Sequence, residues 1–176
     1  MSTNMRKGYI QVYTGNGKGK TTASLGLALR AAGAGLKVFI AQFIKSRECS
    51  EHKALERLKD LITIKQYGKG FILKRAPDES DVKAAQDGFE EVRNIVSSGK
   101  YDVVVLDEIN VAVKYNLVST KDLLKIMDAK AKGTELIITG RYAHKKVIQK
   151  ADLVTEMKEV KHYKSKGVKA RRGIEK

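Results

Sequence analysis

The stretch Thr14-Gly15-Asn16-Gly17-Lys18-Gly19-Lys20-Thr21-Thr22 constrains this chain more than any other. It follows a short apolar strand pattern, Tyr9-Ile10-Gln11-Val12-Tyr13, and leads into a helical pattern from Ala23 to Ala32. Strand, glycine-rich loop and helix, in that order, are the context of a phosphate-binding P-loop. Glycines let backbone N–H groups converge on an anion, and the helix N-terminus adds its own free donors and dipole. Lys20 is expected to reach phosphate oxygens and the Thr21 hydroxyl to act as a Mg²⁺ ligand. Two features depart from the G-x-x-x-x-G-K-[ST] pattern: Thr14 stands at the first glycine, and Lys18 adds a second lysine inside the loop. The expected ligand is a nucleoside triphosphate, held by Gly15, Asn16, Gly17, Lys18, Gly19, Lys20, Thr21 and Thr22.

Beyond the loop, short β-like runs alternate with longer helical ones. Lys37 to Ile44 reads as a buried strand, Ser50 to Leu61 as a charged helix and Ile62 to Ile64 as a short strand. Tyr67 to Asp78 contains Gly68, Gly70 and Pro77 and reads as a loop. Ser80 to Ser98 has helical periodicity, with a serine or aspartate available as its cap. Asp102 to Glu108 reads as a buried strand ending in two acids. Thr120 to Ala131 is expected to be a helix, Glu135 to Thr139 a strand, His144 to Lys150 a short helix and Asp152 to Met157 a last strand. Strands that are apolar on both faces and separated by helices imply a mostly parallel β-sheet with helices on both faces. The expectation is an α/β fold in a single domain over residues 1–176, with a basic C-terminal segment from about residue 158.

The run Leu106-Asp107-Glu108 supplies the second half of a P-loop site. A buried strand can deliver carboxylates beside the phosphates, where they hold Mg²⁺ directly or through water. Asp107 and Glu108, with Thr21, are therefore the candidate metal ligands, and Lys20 and Lys18 the candidate catalytic cations. Kinases, hydrolysing motors and transferases all use such a pair of motifs, so these residues leave the reaction open. His52, His144 and His162 fall in different segments and do not form a metal-binding spacing.

The net charge of +15 calls for an anionic partner. Positive charge is spread along the chain and is densest after Glu156. Aromatic residues make up only 6%, and no nucleic-acid-binding module is recognisable, so small polyanionic substrates are the expected partners. No apolar run approaches the length of a membrane span, and Met1 to Lys7 lacks a signal-peptide core. Cys49 is the only cysteine, which rules out an intrachain disulfide. A cytoplasmic location fits these features.

Several further stretches resemble the P-loop ATP:corrinoid adenosyltransferases. The resemblance rests on the unusual loop from Thr14 to Thr22, on Gln42-Phe43-Ile44-Lys45, on Gly70-Phe71 and on Asp102 to Glu108. It continues through Ile137-Ile138-Thr139-Gly140-Arg141 with His144, then Val160-Lys161-His162, Gly167-Val168-Lys169-Ala170 and Gly173-Ile174. Ordinary P-loop proteins do not carry this C-terminal run.

The resemblance implies a P-loop NTPase-like (RecA-like) fold and transfer of the 5′-deoxyadenosyl group of ATP to reduced corrinoid cobalt, with release of intact triphosphate. It also implies Mg²⁺ or Mn²⁺ as cofactor, a corrinoid such as cobalamin as substrate, a reduced flavin or flavoprotein as electron donor, and a homodimer. Family members hold ATP reversed relative to ordinary P-loop enzymes. Arg141 and Glu108 join the nucleotide-binding residues by this resemblance, and Phe71 joins the catalytic ones. In well-known bacterial members the matching Phe and a Trp two residues later help displace the corrinoid's lower ligand. Here the Trp position is Leu73, and the chain contains no Trp. A P-loop kinase or ATPase, and an ATP-modulated nucleic-acid-binding module, are the competing readings.

Overall fold

The computed structural model describes residues 7–46, 49–68 and 78–175. The expectations for Gly70, Phe71, Leu73 and Pro77 lie outside these residues. Six strands form one sheet: β1 (Ile10–Thr14), β2 (Val38–Phe43), β3 (Ile62–Tyr67), β4 (Val103–Asp107), β5 (Glu135–Thr139) and β6 (Leu153–Glu156). Their order across the sheet is β3-β2-β4-β5-β1-β6, and every neighbouring pair is parallel. The helices are α1 (Lys20–Gly33), α2 (Ser50–Leu55), α3 (Glu79–Ser98), α4 (Ile109–Lys114), α5 (Thr120–Ala129) and α6 (Lys145–Lys150).

Side chains of the central strands alternate between two cores, as the pleat requires. Val38, Ile40, Val103, Val105 and Ile137 pack with Ala28, Ala31 and Ala32 of α1 on one face. Phe39, Ala41, Val104, Leu106, Leu136 and Ile138 pack on the other with Phe89 and Val92 of α3, Leu123 and Ile126 of α5, and Val147 of α6. The continuous apolar runs in β2 and β4 are thus strands covered on both sides. The expected α/β architecture, with its mostly parallel sheet and helices on both faces, is present.

Local boundaries follow from caps. The Asp78 side chain accepts from the Asp81 N–H at 3.0 Å, and the Asp81 side chain accepts from the Asp78 N–H at 3.0 Å. This reciprocal box starts α3 at Glu79, and Gly99 ends the helix in the left-handed region, at φ 67°. Ser119 caps α5 through the Asp122 N–H at 3.0 Å. His144, expected to be helical, instead caps α6 by accepting from the Lys146 N–H at 3.2 Å.

Several boundaries differ from expectation by a residue or more. The helix begun at Ser50 gives way to a 3-10 turn at Glu56–Leu58, and β3 extends to Tyr67 because its full length pairs with β2. Asp102 and Glu108 flank β4 rather than belonging to it, and α4, which follows at once, has no sequence signal apart from another apolar run. Apolar runs this short read alike as strand or buried helix.

Chain direction creates the site. The loop after β1 feeds α1 on one face, whereas those after β4 and β5 feed helices on the opposite face. Where connections diverge in an open parallel sheet, a crevice opens beyond the carboxyl ends of the strands. That crevice lies at the ends of β1, β4 and β5.

Candidate active site

Loop 15–19 turns sharply off β1, with Gly15 at φ 94° and Gly19 at φ 118°, both in the region that favours glycine. A second constraint acts on Gly15 and Gly17. A Cβ on Gly15 would lie 2.5 Å from the Met157 carbonyl oxygen, and one on Gly17 would lie 2.6 Å from it. The chain after β6 runs against the loop backbone: the Gly17 N–H donates to the Met157 carbonyl at 2.6 Å, and the Met157 N–H donates to the Thr14 carbonyl at 2.8 Å. The glycines thus serve tight packing as well as turning. Helix α1 starts at Gly19 without a side-chain cap and has no acid in its first turn, so its N-terminal field stays positive.

Lys20 is buried, and its ammonium donates to the Gly15 carbonyl at 2.8 Å and the Gly17 carbonyl at 2.6 Å. The lysine therefore closes over its own loop. Burial lowers its pKa; the nearby charge of Arg141 lowers it further, while Glu108 and Asp107 oppose the shift.

Asp107, at the end of β4, is the hub of the site and is only 1% exposed. One carboxylate oxygen accepts from the Thr21 hydroxyl at 2.9 Å and from the Thr139 hydroxyl at 2.7 Å. The other accepts from the Lys45 ammonium at 2.8 Å and the Gln42 amide at 3.2 Å. Lys45 also lies 3.4 Å from the Thr21 hydroxyl oxygen. Burial pulls the Lys45 pKa down, but Asp107, Glu108 and Glu51 together outweigh it and raise the value above that of a free lysine.

Glu108 follows in the left-handed region at φ 61°, strained for a residue with a Cβ. Its backbone N–H donates to the Thr139 hydroxyl oxygen at 3.0 Å, which helps hold that turn. Burial raises the pKa of its carboxyl group, and the adjacent Asp107 charge adds to the effect. Two carboxylates and two hydroxyls from three chain segments thus gather near the glycine loop, with Lys20 and Lys45 close by.

Lys18 faces outward and meets the C-terminal segment. Its ammonium lies 3.1 Å from a Glu175 carboxylate oxygen, 3.3 Å from the Tyr163 hydroxyl and 3.2 Å from the Ile174 carbonyl. The Tyr163 hydroxyl donates to the same Glu175 oxygen, and the Arg171 guanidinium lies 3.1 Å from it and 5.0 Å from the Tyr163 ring centroid. Arg171, Tyr163 and Lys18 hold the Glu175 carboxyl well below the usual carboxylate range, and Glu175 followed by Tyr163 raises the Lys18 pKa.

The other sequence-selected residues spread around this centre. Asn16 and Thr22 are exposed at the loop and the start of α1. Arg141 is exposed beyond β5, near enough for its charge to act on both Lys20 and Glu108. Cys49, Glu51 and His52 present ligand atoms within 4.8 Å of one another. However, His52 Nδ1 accepts from the Cys49 N–H at 2.8 Å and Nε2 lies 2.8 Å from the Gln42 Oε1, so both ring nitrogens are engaged.

Gln42, Lys45 and Thr139 carry the resemblance noted above but had no assigned role, and Glu175 had none either. A usable signal existed for the first three. Polar side chains at the carboxyl ends of strands buried on both faces have little structural reason to be there.

The lysine-bearing glycine loop and the buried acid hub thus meet at the carboxyl ends of the strands of a parallel α/β sheet. The ATP:corrinoid adenosyltransferase family (BtuR/CobO/CobP) matches this chain over residues 6–175. A corrinoid adenosyltransferase of Escherichia coli K12 is 35% identical over 170 residues, covering 96% of this chain and 86% of its own length. One from Pseudomonas aeruginosa is 32% identical, with 96% and 84% covered, and one from Sinorhizobium is 33% identical, with 96% and 80% covered. The chain belongs to the ATP:corrinoid adenosyltransferase family. It is an enzyme that transfers the 5′-deoxyadenosyl group of ATP to corrinoid cobalt.

Proposed function

We propose that loop 15–19 receives the triphosphate of ATP and that Lys20 and Lys18 stabilise it as the leaving group. The observation that carries this reading is the contact of Thr21, at the head of α1, with Asp107, at the end of β4. It joins the two halves of a P-loop site across 86 residues of sequence. The sheet order supports a RecA-like P-loop fold in a single domain, because β5 separates the loop-bearing β1 from the acid-bearing β4. Reduced cobalt, Co(I), is a strong nucleophile. Its attack on the ribose C5′ forms the Co–C bond and breaks the C5′–O bond, so triphosphate departs with the bonding electrons.

Negative charge then grows on the leaving oxygen. Loop N–H groups, Lys20 and Lys18 are the groups that would stabilise it, once the Gly17 N–H gives up the Met157 carbonyl. Lys20 must exchange the Gly15 and Gly17 carbonyls for phosphate oxygens, and Lys18 must exchange Glu175. The donor set Thr21, Asp107 and Glu108 consists of hard oxygens, which fits Mg²⁺ or Mn²⁺. Such a cation supplies further neutralisation of phosphate charge.

Phe71, with Ile72 and Leu73, is proposed as the apolar wedge that displaces the corrinoid's lower ligand. Removing that ligand makes Co(II) easier to reduce. Phe71→Ala is then expected to slow the reaction started from Co(II) with a physiological reductant far more than the reaction started from Co(I). Equal losses in the two assays would assign Phe71 to packing. A reduced flavin or flavoprotein as donor, a homodimer and a cytoplasmic location complete the proposal. No described helix is long and apolar enough to cross a membrane.

The direct test supplies ATP, Mg²⁺ and chemically reduced cobalamin without oxygen. The expected products are light-sensitive adenosylcobalamin and inorganic triphosphate. ADP or AMP in place of triphosphate would transfer the site to phosphoryl-transfer chemistry.

A further inference from the structure

We propose that Lys45 is the resident counter-cation of the metal site and competes with the divalent ion for the same oxygens. The inference rests on the reading that Thr21, Asp107 and Glu108 receive the metal. The Lys45 ammonium lies 2.8 Å from one Asp107 carboxylate oxygen and 3.4 Å from the Thr21 hydroxyl oxygen. A hard divalent cation at this position needs those same two groups. The ammonium and the metal carry charge of the same sign, so each is bound more weakly when both crowd the same carboxylate and hydroxyl.

The surroundings explain why a lysine is retained there. Asp107 is almost fully buried, and three of its four hydrogen-bond donors, Thr21, Thr139 and Gln42, are neutral. A charge buried among neutral donors is costly, and one ammonium offsets part of that cost. Lys45 can also leave. It sits two residues beyond the end of β2, just after Ile44, which lies in the left-handed region at φ 69°. Its side chain is 15% exposed and so is not sealed in the core, and triphosphate oxygens at the loop would offer it a new partner.

Lys45 therefore links two events. A divalent ion arriving alone must expel the ammonium from Asp107 with nothing to receive it. When the ion arrives with triphosphate, the displaced ammonium gains an anionic partner. Metal binding becomes contingent on the nucleotide, and Asp107 remains paired throughout.

The test uses Mn²⁺, whose free concentration is read by electron paramagnetic resonance, and the full chain without nucleotide. Lys45→Gln keeps an N–H donor for Asp107 but lacks the charge; Lys45→Met removes both, and Lys45→Arg keeps the charge. Both uncharged variants are expected to bind one Mn²⁺ about tenfold or more tighter than the wild type, the scale of losing one close like charge. Mn²⁺ alone is then expected to raise their melting temperatures but leave the wild type and Lys45→Arg unmoved. Adding Asp107→Asn to Lys45→Gln should abolish the gain. Equal Mn²⁺ affinity in wild type and both uncharged variants overturns the competition. If that shared binding still requires Asp107, the metal-site reading survives; if it does not, both readings fall.

Discussion

Two carboxylates near the glycine loop each hold a lysine, and the pairs differ in how far the lysine reaches solvent. Asp107 is 1% exposed and meets Lys45 among three further donors from three other segments. Glu175 meets Lys18 at the surface, where the lysine side chain is 44% exposed, and its other partners, Tyr163 and Arg171, belong to the same C-terminal segment. Solvent reaches the second pair through Lys18, although the Glu175 side chain is only 16% exposed, and barely reaches the first. Asp107 thus ties α1, β2 and β5 together through Thr21, Gln42 and Thr139, with Lys45 as its counter-charge. The second pair holds Lys18 at the surface, where a half-exposed ion pair costs little to break.

The largest effect is expected from the lysine between them. Lys20→Ala should lower kcat by about 10²-fold or more, the scale of removing one preorganised electrostatic stabiliser. Near-normal turnover at saturating ATP would move the phosphate site elsewhere. Asp107→Asn comes next and acts first on stability. It leaves Lys45 without its counter-charge, and because that side chain is 15% exposed the cost is a part of the about 3–5 kcal/mol of a fully buried broken pair. Urea unfolding at two salt concentrations measures this, and the loss should persist in high salt. A loss that disappears with salt would mean that Asp107 is more solvated than its exposure indicates.

The same contrast decides what the sequence could reveal. The loop, its helix and the acid-ended strand β4 were legible because each is a local pattern with its own physical reason. The parallel sheet followed from runs that are apolar on both faces. The Asp107 hub was only half legible. Its partners Gln42, Lys45 and Thr139 come from β2, the residues after it, and β5, and only the strand order brings them together. The Lys18–Glu175 contact spans 157 residues between two surface segments, and no periodicity encodes such a contact. α4 was missed because a short apolar run continuing from a strand carries no helical signature.

Glu175→Gln probes the exposed side with a smaller effect. Without its charge, Lys18 is freer to meet phosphate, so KM for ATP should fall by about two- to fivefold at low salt, in the range of surface ion pairs. kcat should change little. Raising the salt should erase the difference, since screening already weakens the wild-type pair. An equally large change at high salt would place the tail contact with the buried network and remove the distinction between the two regions.

Glu108 gives the smallest effect and the sharpest sign. Burial and Asp107 raise its pKa above 4.5, so the folded chain binds this proton more tightly than the unfolded chain does. Between the unfolded and the folded pKa the native state holds more protons, and stability falls as pH rises through that window. Below it the neutral side chain carries no such cost; above it the full cost is present. Glu108→Gln mimics the neutral form at every pH. The variant is therefore expected to melt above the wild type at pH 7, and the gap should close as pH is lowered through 4.5. Its Mg²⁺ requirement for activity should rise at the same time, because the carboxamide keeps the shape but loses the charge that attracts a hard cation. Stability gained and metal affinity lost in one substitution would mark Glu108 as a residue kept for function at the expense of the fold. A variant less stable than the wild type at pH 7 would instead make its carboxylate part of the buried network that Asp107 anchors.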